Sequence, residues 1–196
     1  MKRVAVFCAS SPGKNPAFKA NAEALGRAMA RDGLGLVYGG GKVGLMGVIA
    51  DAVLSEGGEV IGVIPHALVA KEVEHRGLTE LHEVGSMHER KALMESRADA
   101  FVAMPGGFGT LDELCEIVTW AQLGFHRKPI GLLNVAGYYD AFLAFLDHGV
   151  SEGMISARVR AEILVDSDPE RLLAAIRARK PGGPIGPIWL RDKSEL

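Results

Sequence analysis

The run Pro105-Gly106-Gly107-Phe108-Gly109-Thr110-Leu111-Asp112-Glu113 joins an apolar, strand-like segment, Ala100–Met104, to a helical pattern beginning near Thr110. A glycine turn between a strand and a helix start leaves backbone N–H groups open to an anion, and the helix dipole adds to the attraction. Glycine also permits the close backbone approach that a phosphate needs. The run ends on carboxylates, which a pure phosphate cradle does not require. It reads as a nucleotide-phosphate site with a reactive group on its rim. Glu113 has a second reading, because Thr110-Leu111-Asp112-Glu113 fits a capping box and acids are favoured in a first turn anyway. Spacing alone leaves both readings open.

Met87-His88-Glu89-Arg90-Lys91 is the second unusual stretch. Ser86 and Glu89 have capping-box spacing, which puts Arg90 and Lys91 near the first helical turn. Cations there oppose the helix dipole at a cost of roughly 0.3–1 kcal/mol each. An anionic ligand would justify them, and Arg90, Met94 and Arg97 share one helix face. A solvated basic face is the alternative.

A second glycine loop, Gly39-Gly40-Gly41-Lys42-Val43-Gly44-Leu45-Met46-Gly47, resembles a P-loop only superficially. It lacks the first glycine of that motif, and Val43 stands where Ser or Thr would meet magnesium. It either packs a helix tightly on the sheet or lines the ligand cavity. The turn Cys8-Ala9-Ser10-Ser11-Pro12-Gly13 is not a dinucleotide fingerprint, which disfavours NAD. His66, His75 and His82 show no metal-ligand spacing and read as structural or surface residues, so no metal is expected. His88 stands out only because it lies close to Arg90.

The elements that must position these residues alternate strand and helix along the chain. Strands are expected at Val4–Cys8, Leu34–Tyr38, Glu59–Ile64, Ala100–Met104, Pro129–Leu133 and Ile163–Asp166. Helices are expected from Pro16 (after an Asn15 N-cap) to Asp32-Gly33, and over Leu45–Ser55, Ser86–Arg97, Thr110–Leu123, Tyr139–His148 and Pro169–Arg179. Residues 65–85 are polar and aperiodic and read as a long lid-like or binding connection. Repeated βα units imply a Rossmann-like, three-layer α/β/α fold with a parallel sheet. One nucleotide-binding domain over residues 1–180 and an extended tail at 181–196 are expected. Ligands should bind at the carboxyl ends of the strands, where Cys8–Gly13, Gly39–Gly47 and Pro105–Thr110 would meet.

Composition narrows the setting. The 196 residues are 48% hydrophobic, which excludes a disordered chain, and the net charge of −2 argues against a broad nucleic-acid footprint. Cys8 and Cys115 lie far apart on segments expected to be buried, consistent with a reduced, cytoplasmic compartment. No apolar run approaches the roughly 20 residues of a membrane helix.

Together, the Met87–Lys91 and Pro105–Glu113 stretches resemble the signatures of the Lonely Guy family, the cytokinin-activating phosphoribohydrolases, many of which carry the older label lysine decarboxylase. Tyr38-Gly39-Gly40-Gly41, Gly44-Leu45-Met46-Gly47 and Thr119-Trp120-Ala121-Gln122-Leu123-Gly124 resemble it too. The resemblance covers about residues 3–180. It implies hydrolysis of N⁶-modified adenosine 5′-monophosphates, and of AMP, to the free base and ribose 5-phosphate without a cofactor. Carried over by motif, Arg90 and Glu113 would be the catalytic pair. Gly107, Phe108, Gly109 and Thr110 would hold the phosphate end, while Glu72, Lys91 and Thr119 would complete the nucleotide site. Asp112 departs from the glutamate often found there. The family resemblance further implies a homodimer with pockets near the subunit interface. Two other classes stand beside this one: a non-catalytic nucleotide carrier on the same fold, and pyridoxal-phosphate-dependent decarboxylation. The latter needs an aldimine-forming lysine with an acidic partner for the pyridine nitrogen, and Lys42 and Lys91 both lie beside phosphate-binding candidates.

Overall fold

Val4 and Val6 of β1 (Arg3–Phe7) face one helical layer, and Ala5 and Phe7 face the other. A strand apolar on both sides belongs at the centre of a covered parallel sheet. In the computed structural model, which describes residues 1–72, 75 and 77–179 (without the side chains of 70–72), β1 is that central strand. The other strands are β2 (Gly35–Tyr38), β3 (Val60–Pro65), β4 (Glu80–Val84), β5 (Ala100–Ala103), β6 (Ile130–Leu133) and β7 (Ile163–Asp166). All pairings are parallel, in the order β4-β3-β2-β1-β5-β6-β7. The chain runs outward from β1 to β4, then returns to the other side of β1 with β5. That reversal opens a crevice at the carboxyl ends of β1 and β5.

One layer holds α1 (Pro16–Arg31), α2 (Gly44–Ser55) and α8 (Pro169–Ala178), whose Leu25, Met29, Ile49, Val53, Leu172 and Ile176 pack with Val4, Val6 and Leu36. Burying each such side chain contributes roughly 1.5–3 kcal/mol. The other layer holds α4 (Met87–Arg97) and α5 (Phe108–Leu123), with Met94, Leu114 and Ile117 against Phe7, Val37 and Phe101. α6 (Asp140–Ser151) adds half-buried Phe142, Leu143 and Leu146 there. The expected start of α1 is present: the Asn15 side chain accepts from Ala17 N at 3.0 Å, with Pro16 in the first turn. Among the described residues, no helix is long and apolar enough to cross a membrane.

The described residues of the connection expected over 65–85 include regular elements. The connection carries α3 (His66–Glu72) and β4, which pairs with β3 from Ile61↔Glu80 to Pro65↔Val84. β4 is an edge strand with no fully buried residue, and Glu80-Leu81-His82-Glu83-Val84 is too polar to reveal itself by pattern. The sheet thus gains a seventh strand. A short helix, α7 (Ala157–Arg160), and a 3₁₀ turn at Val135–Gly137 also went unanticipated. Cys115 is exposed, contrary to the expected burial. The tail expected at 181–196 lies outside the described residues.

Candidate active site

Ala9 ties the carboxyl-end loops together. Its N–H donates to the Pro105 carbonyl at 3.2 Å, and its own carbonyl accepts from Leu45 N at 3.0 Å and Met46 N at 3.3 Å. Gly44 makes this approach possible, with φ +63° and an absent Cβ that would lie 2.2 Å from the Ser10 carbonyl carbon. So the second glycine loop does pack α2 closely, and Met46 also reaches the cavity. The resulting cleft has a volume of about 340 Å³. It is lined by Cys8–Ser11, Met46, Met87, Arg90, Gly107–Thr110 and Glu113.

α5 starts earlier than its sequence pattern suggests. Gly107 is the N-cap, no side chain caps the helix, and no acid falls in its first turn. The early N–H groups of such a helix lack intrahelical acceptors and face the positive end of the dipole. With the start at Phe108, Thr110 is inside the first turn and Glu113 is beyond it. The Thr110–Glu113 capping box is therefore not what fixes Glu113, whose side chain is 10% exposed and turned to the cleft. At α4, by contrast, the Ser86 hydroxyl accepts from Glu89 N at 3.1 Å, and the Glu89 carboxylate accepts from Gly85 N at 2.8 Å.

Arg90 rises from α4 opposite Glu113, with Nη2 4.0 Å from Oε1. Its guanidinium lies against Gly39, donating to that carbonyl at 3.4 Å and contacting Met87 Sδ at 3.7 Å. A Cβ on Gly39 would sit 1.9 Å from Nη2, so only glycine leaves room there. Arg90 Nε is buried with no hydrogen-bond partner among the described residues. A buried guanidinium with an orphaned donor and long contacts is poorly satisfied by its own protein, and a ligand entering the cleft would complete it. Cys8 lies on the same wall; burial, then the Glu113 charge, push its thiol up, so it stays protonated.

The structure brings Arg90, Glu113, Gly107, Phe108, Gly109 and Thr110 to one cavity. It does not bring Lys91 or Thr119 there. Lys91 points to α5, where its Nζ lies 3.1 Å from both Asp112 and Glu116. Burial alone would lower the Lys91 ammonium, but those two carboxylates hold it above the ordinary lysine value. Thr119 is exposed on α5 and donates to the Cys115 carbonyl at 2.7 Å. Glu72 ends α3, and its side chain lies outside those described. Arg97 does not join Arg90 at the anion site; it reaches Glu80 of β4 at 3.7 Å. The histidines pair with carboxylates instead: His66 with Glu83, His75 with Asp51, His82 with Glu80. His88 is exposed. Sequence reasoning did not single out Ser10, Ser11, Met46 or Met87 as ligand contacts, although the first two sit where β1 must deliver its loop.

An uncapped helix N-terminus beside a buried Arg–Glu pair, at the switch point of a parallel sheet, has the chemistry to take an anion on a Rossmann-like α/β protein. Similarity to known proteins narrows this further. The family model described as "possible lysine decarboxylase" matches residues 46–176. The cytokinin riboside 5′-monophosphate phosphoribohydrolase LOG of Oryza sativa subsp. japonica is 46% identical over 188 residues, covering 96% of this chain and 78% of the relative. That of Rhodococcoides fascians is 49% identical over 178 residues, covering 90% of each. The chain belongs to this Lonely Guy family of phosphoribohydrolases. The Moco carrier protein of Chlamydomonas reinhardtii shares the fold, with a TM-score of 0.67 at 21% identity over 90% of this chain and 95% of that one.

Proposed function

We propose that the protein hydrolyses the N-glycosidic bond of adenosine 5′-monophosphates, N⁶-modified ones and AMP, releasing the free base and ribose 5-phosphate. The carrying observation is the buried Arg90–Glu113 pair beside the uncapped start of α5. The 5′-phosphate lies on the Gly107–Thr110 amides, next to the exposed Phe108. Glu113 follows Thr110 by about 4.5 Å along the helix axis, a spacing that supports a role for its carboxylate at the ribose. Cleavage of C1′–N9 sends the bonding pair to the purine and leaves positive charge on the ribose ring. Glu113 stabilises that charge and orients the incoming water. The water oxygen bonds C1′, and its proton ends on the purine. Arg90 clamps the nucleotide through the donors that its own protein leaves unused. Phosphate binding remote from the broken bond positions the sugar.

We further infer a cytoplasmic homodimer that binds a small nucleotide and neither nucleic acid nor membrane. Phe108, Asp112, Cys115, Thr119 and Leu123 form one exposed stripe of α5, with Phe125 beyond it. Phe108 is 93% and Phe125 74% exposed. A second copy covering that stripe would bring Thr119 and the Lys91 edge of α4 into an interface beside the cleft, which is how these two residues, with Glu72, would serve the nucleotide.

The test is to incubate the protein with AMP and with N⁶-isopentenyl-AMP and to quantify base and ribose 5-phosphate. Release from either, lost in Glu113→Gln, is expected. Bound AMP with no base from either would favour a carrier, the role for which the Chlamydomonas protein of the same fold is named.

A further inference from the structure

The segment entering the glycine loop has three successive carbonyls, and each is held. Tyr139 Oη donates to Met104 O at 2.6 Å, Ala9 N to Pro105 O at 3.2 Å, and Tyr138 Oη to Gly106 O at 2.6 Å. Two of the three donors are neighbouring tyrosines from the turn between β6 and α6. That turn is built to deliver them. Asn134 Oδ1 accepts from Tyr139 N at 2.8 Å, and Asn134 Nδ2 donates to Asp140 Oδ1 at 2.7 Å. Ala136 is the only non-glycine residue with positive φ among those described (φ 51°, ψ 32°), and Gly137 follows at φ 72°. A strained alanine persists only where its surroundings over-determine it. Tyr138 is further fixed edge-on by Phe18 (centroids 5.5 Å apart, planes at 82°) and by Tyr139 (5.0 Å, 88°).

Peptide planarity gives this bracing a consequence at the anion site. In a trans peptide the C=O and the following N–H point in opposite directions. Drawing the Gly106 carbonyl toward Tyr138 therefore turns the Gly107 N–H to the other side, at the N-cap of α5. Gly106 also seats Thr110: a Cβ there would lie 2.0 Å from Thr110 Oγ1. The two hydroxyls thus govern the loop's amides without reaching the cleft.

We propose that Tyr138 and Tyr139 are positioning residues for the anion loop, and that they set the enzyme's preference for a 5′-phosphorylated nucleotide over the uncharged nucleoside. This rests on the phosphate-site reading above. Tyr138 is 45% exposed, so Tyr138→Phe removes one hydroxyl with little effect on packing, whereas Tyr139 is buried and its Phe variant serves as the stronger but less gentle perturbation. Loss of one hydrogen bond of this kind corresponds to roughly a tenfold change.

The experiment compares kcat/KM for AMP and for adenosine, the dissociation constant of inorganic phosphate by calorimetry, and the melting temperature. In Tyr138→Phe we expect the AMP-to-adenosine ratio to fall about tenfold, phosphate to bind about tenfold more weakly, the adenosine rate to stay as in the wild type, and the melting temperature to fall by no more than about 2–4 °C. Tyr139→Phe should move the ratio in the same direction. A proportional loss on both substrates, or wild-type phosphate affinity in Tyr138→Phe, overturns the proposal. If the wild type cleaves neither substrate, the hydrolase reading fails, and the phosphate affinities still decide the role of the tyrosines. A wild type that binds no phosphate overturns both.

Discussion

Gly39→Ala offers a severe test of the active-site geometry because the added methyl touches no substrate. Its Cβ would lie 1.9 Å from Arg90 Nη2, 3.1 Å from Cζ and 3.2 Å from Met46 Sδ. Gly39 is not among the positive-φ glycines, so alanine meets a problem of space and not of backbone. A comfortable contact needs about 3.5 Å, so the guanidinium must retreat by roughly 1.5 Å. It has somewhere to go, since the cleft in front of it has a volume of about 340 Å³. Retreat breaks the 3.4 Å contact to the Gly39 carbonyl and changes the 4.0 Å spacing to Glu113 by a similar amount.

Displacing a reacting or clamping group by about 1 Å costs on the order of 10²-fold in rate, or about 2.7 kcal/mol of transition-state stabilisation. The stability cost should be smaller, about 1 kcal/mol for local overpacking relieved by a mobile side chain, which lowers the melting temperature by roughly 2–4 °C at this size. The assay is steady-state release of base from AMP alongside a thermal melt. Expected is a kcat/KM down about 100-fold in a protein that still melts cooperatively. A folded Gly39→Ala protein with wild-type kcat/KM would refute the idea that the seat of Arg90 matters to the reaction.

Glu113→Gln keeps the shape and removes the charge; we expect kcat to fall by at least about 10²–10³, with AMP affinity by calorimetry within about threefold of wild type. Lys91→Met strips the shared cation from Asp112 and Glu116, and should lower stability by about 1–3 kcal/mol in a denaturant titration. KM for AMP should rise as well, because Lys91 also serves the nucleotide at the interface; an unchanged KM would leave it a structural cation alone. His126 is held neutral: burial lowers its pKa below the ordinary value near 6.5, while Nε2 donates to Ile117 O and Nδ1 accepts from Lys128 N. The unfolded chain then binds the extra proton first, so stability is full above about pH 6.5 and falls as the pH drops below it. Melts from pH 8 to pH 5 should show this slope, and His126→Gln should reduce it; equal slopes would exclude His126 as the cause. Phe125→Asp places a charge on the exposed α5 edge and should shift the protein from dimer to monomer in light scattering, whereas an unchanged mass would move the interface elsewhere.

The parts of this molecule that were legible in sequence are those where a local pattern has one cheap structural solution. Asn15-Pro16 starts a helix, and six apolar runs become parallel strands, largely buried in all but the edge strand β7. β4 escaped because an edge strand with no fully buried residue can be polar on both faces. Glu113 was ambiguous for a different reason: Thr110-Leu111-Asp112-Glu113 suits a helix start at two registers, and only the start at Phe108 separates a capping acid from a cleft acid. That register is fixed by the glycine turn before it, whose carbonyls are held by Ala9 and by tyrosines from beyond β6. Arg90 shows the same dependence, since its place is set by a glycine after β2. Lys91, next to it in sequence, turns to α5 instead, because successive residues on a helix point about 100° apart. Motif spacing can therefore nominate Arg90 and Lys91 together, but only the packing of α4 against the sheet and beside α5 decides which cation meets the cleft. The residues that carry chemistry were readable as a set, while the assignment of each to a role depends on contacts that join distant stretches of chain at the sheet's switch point.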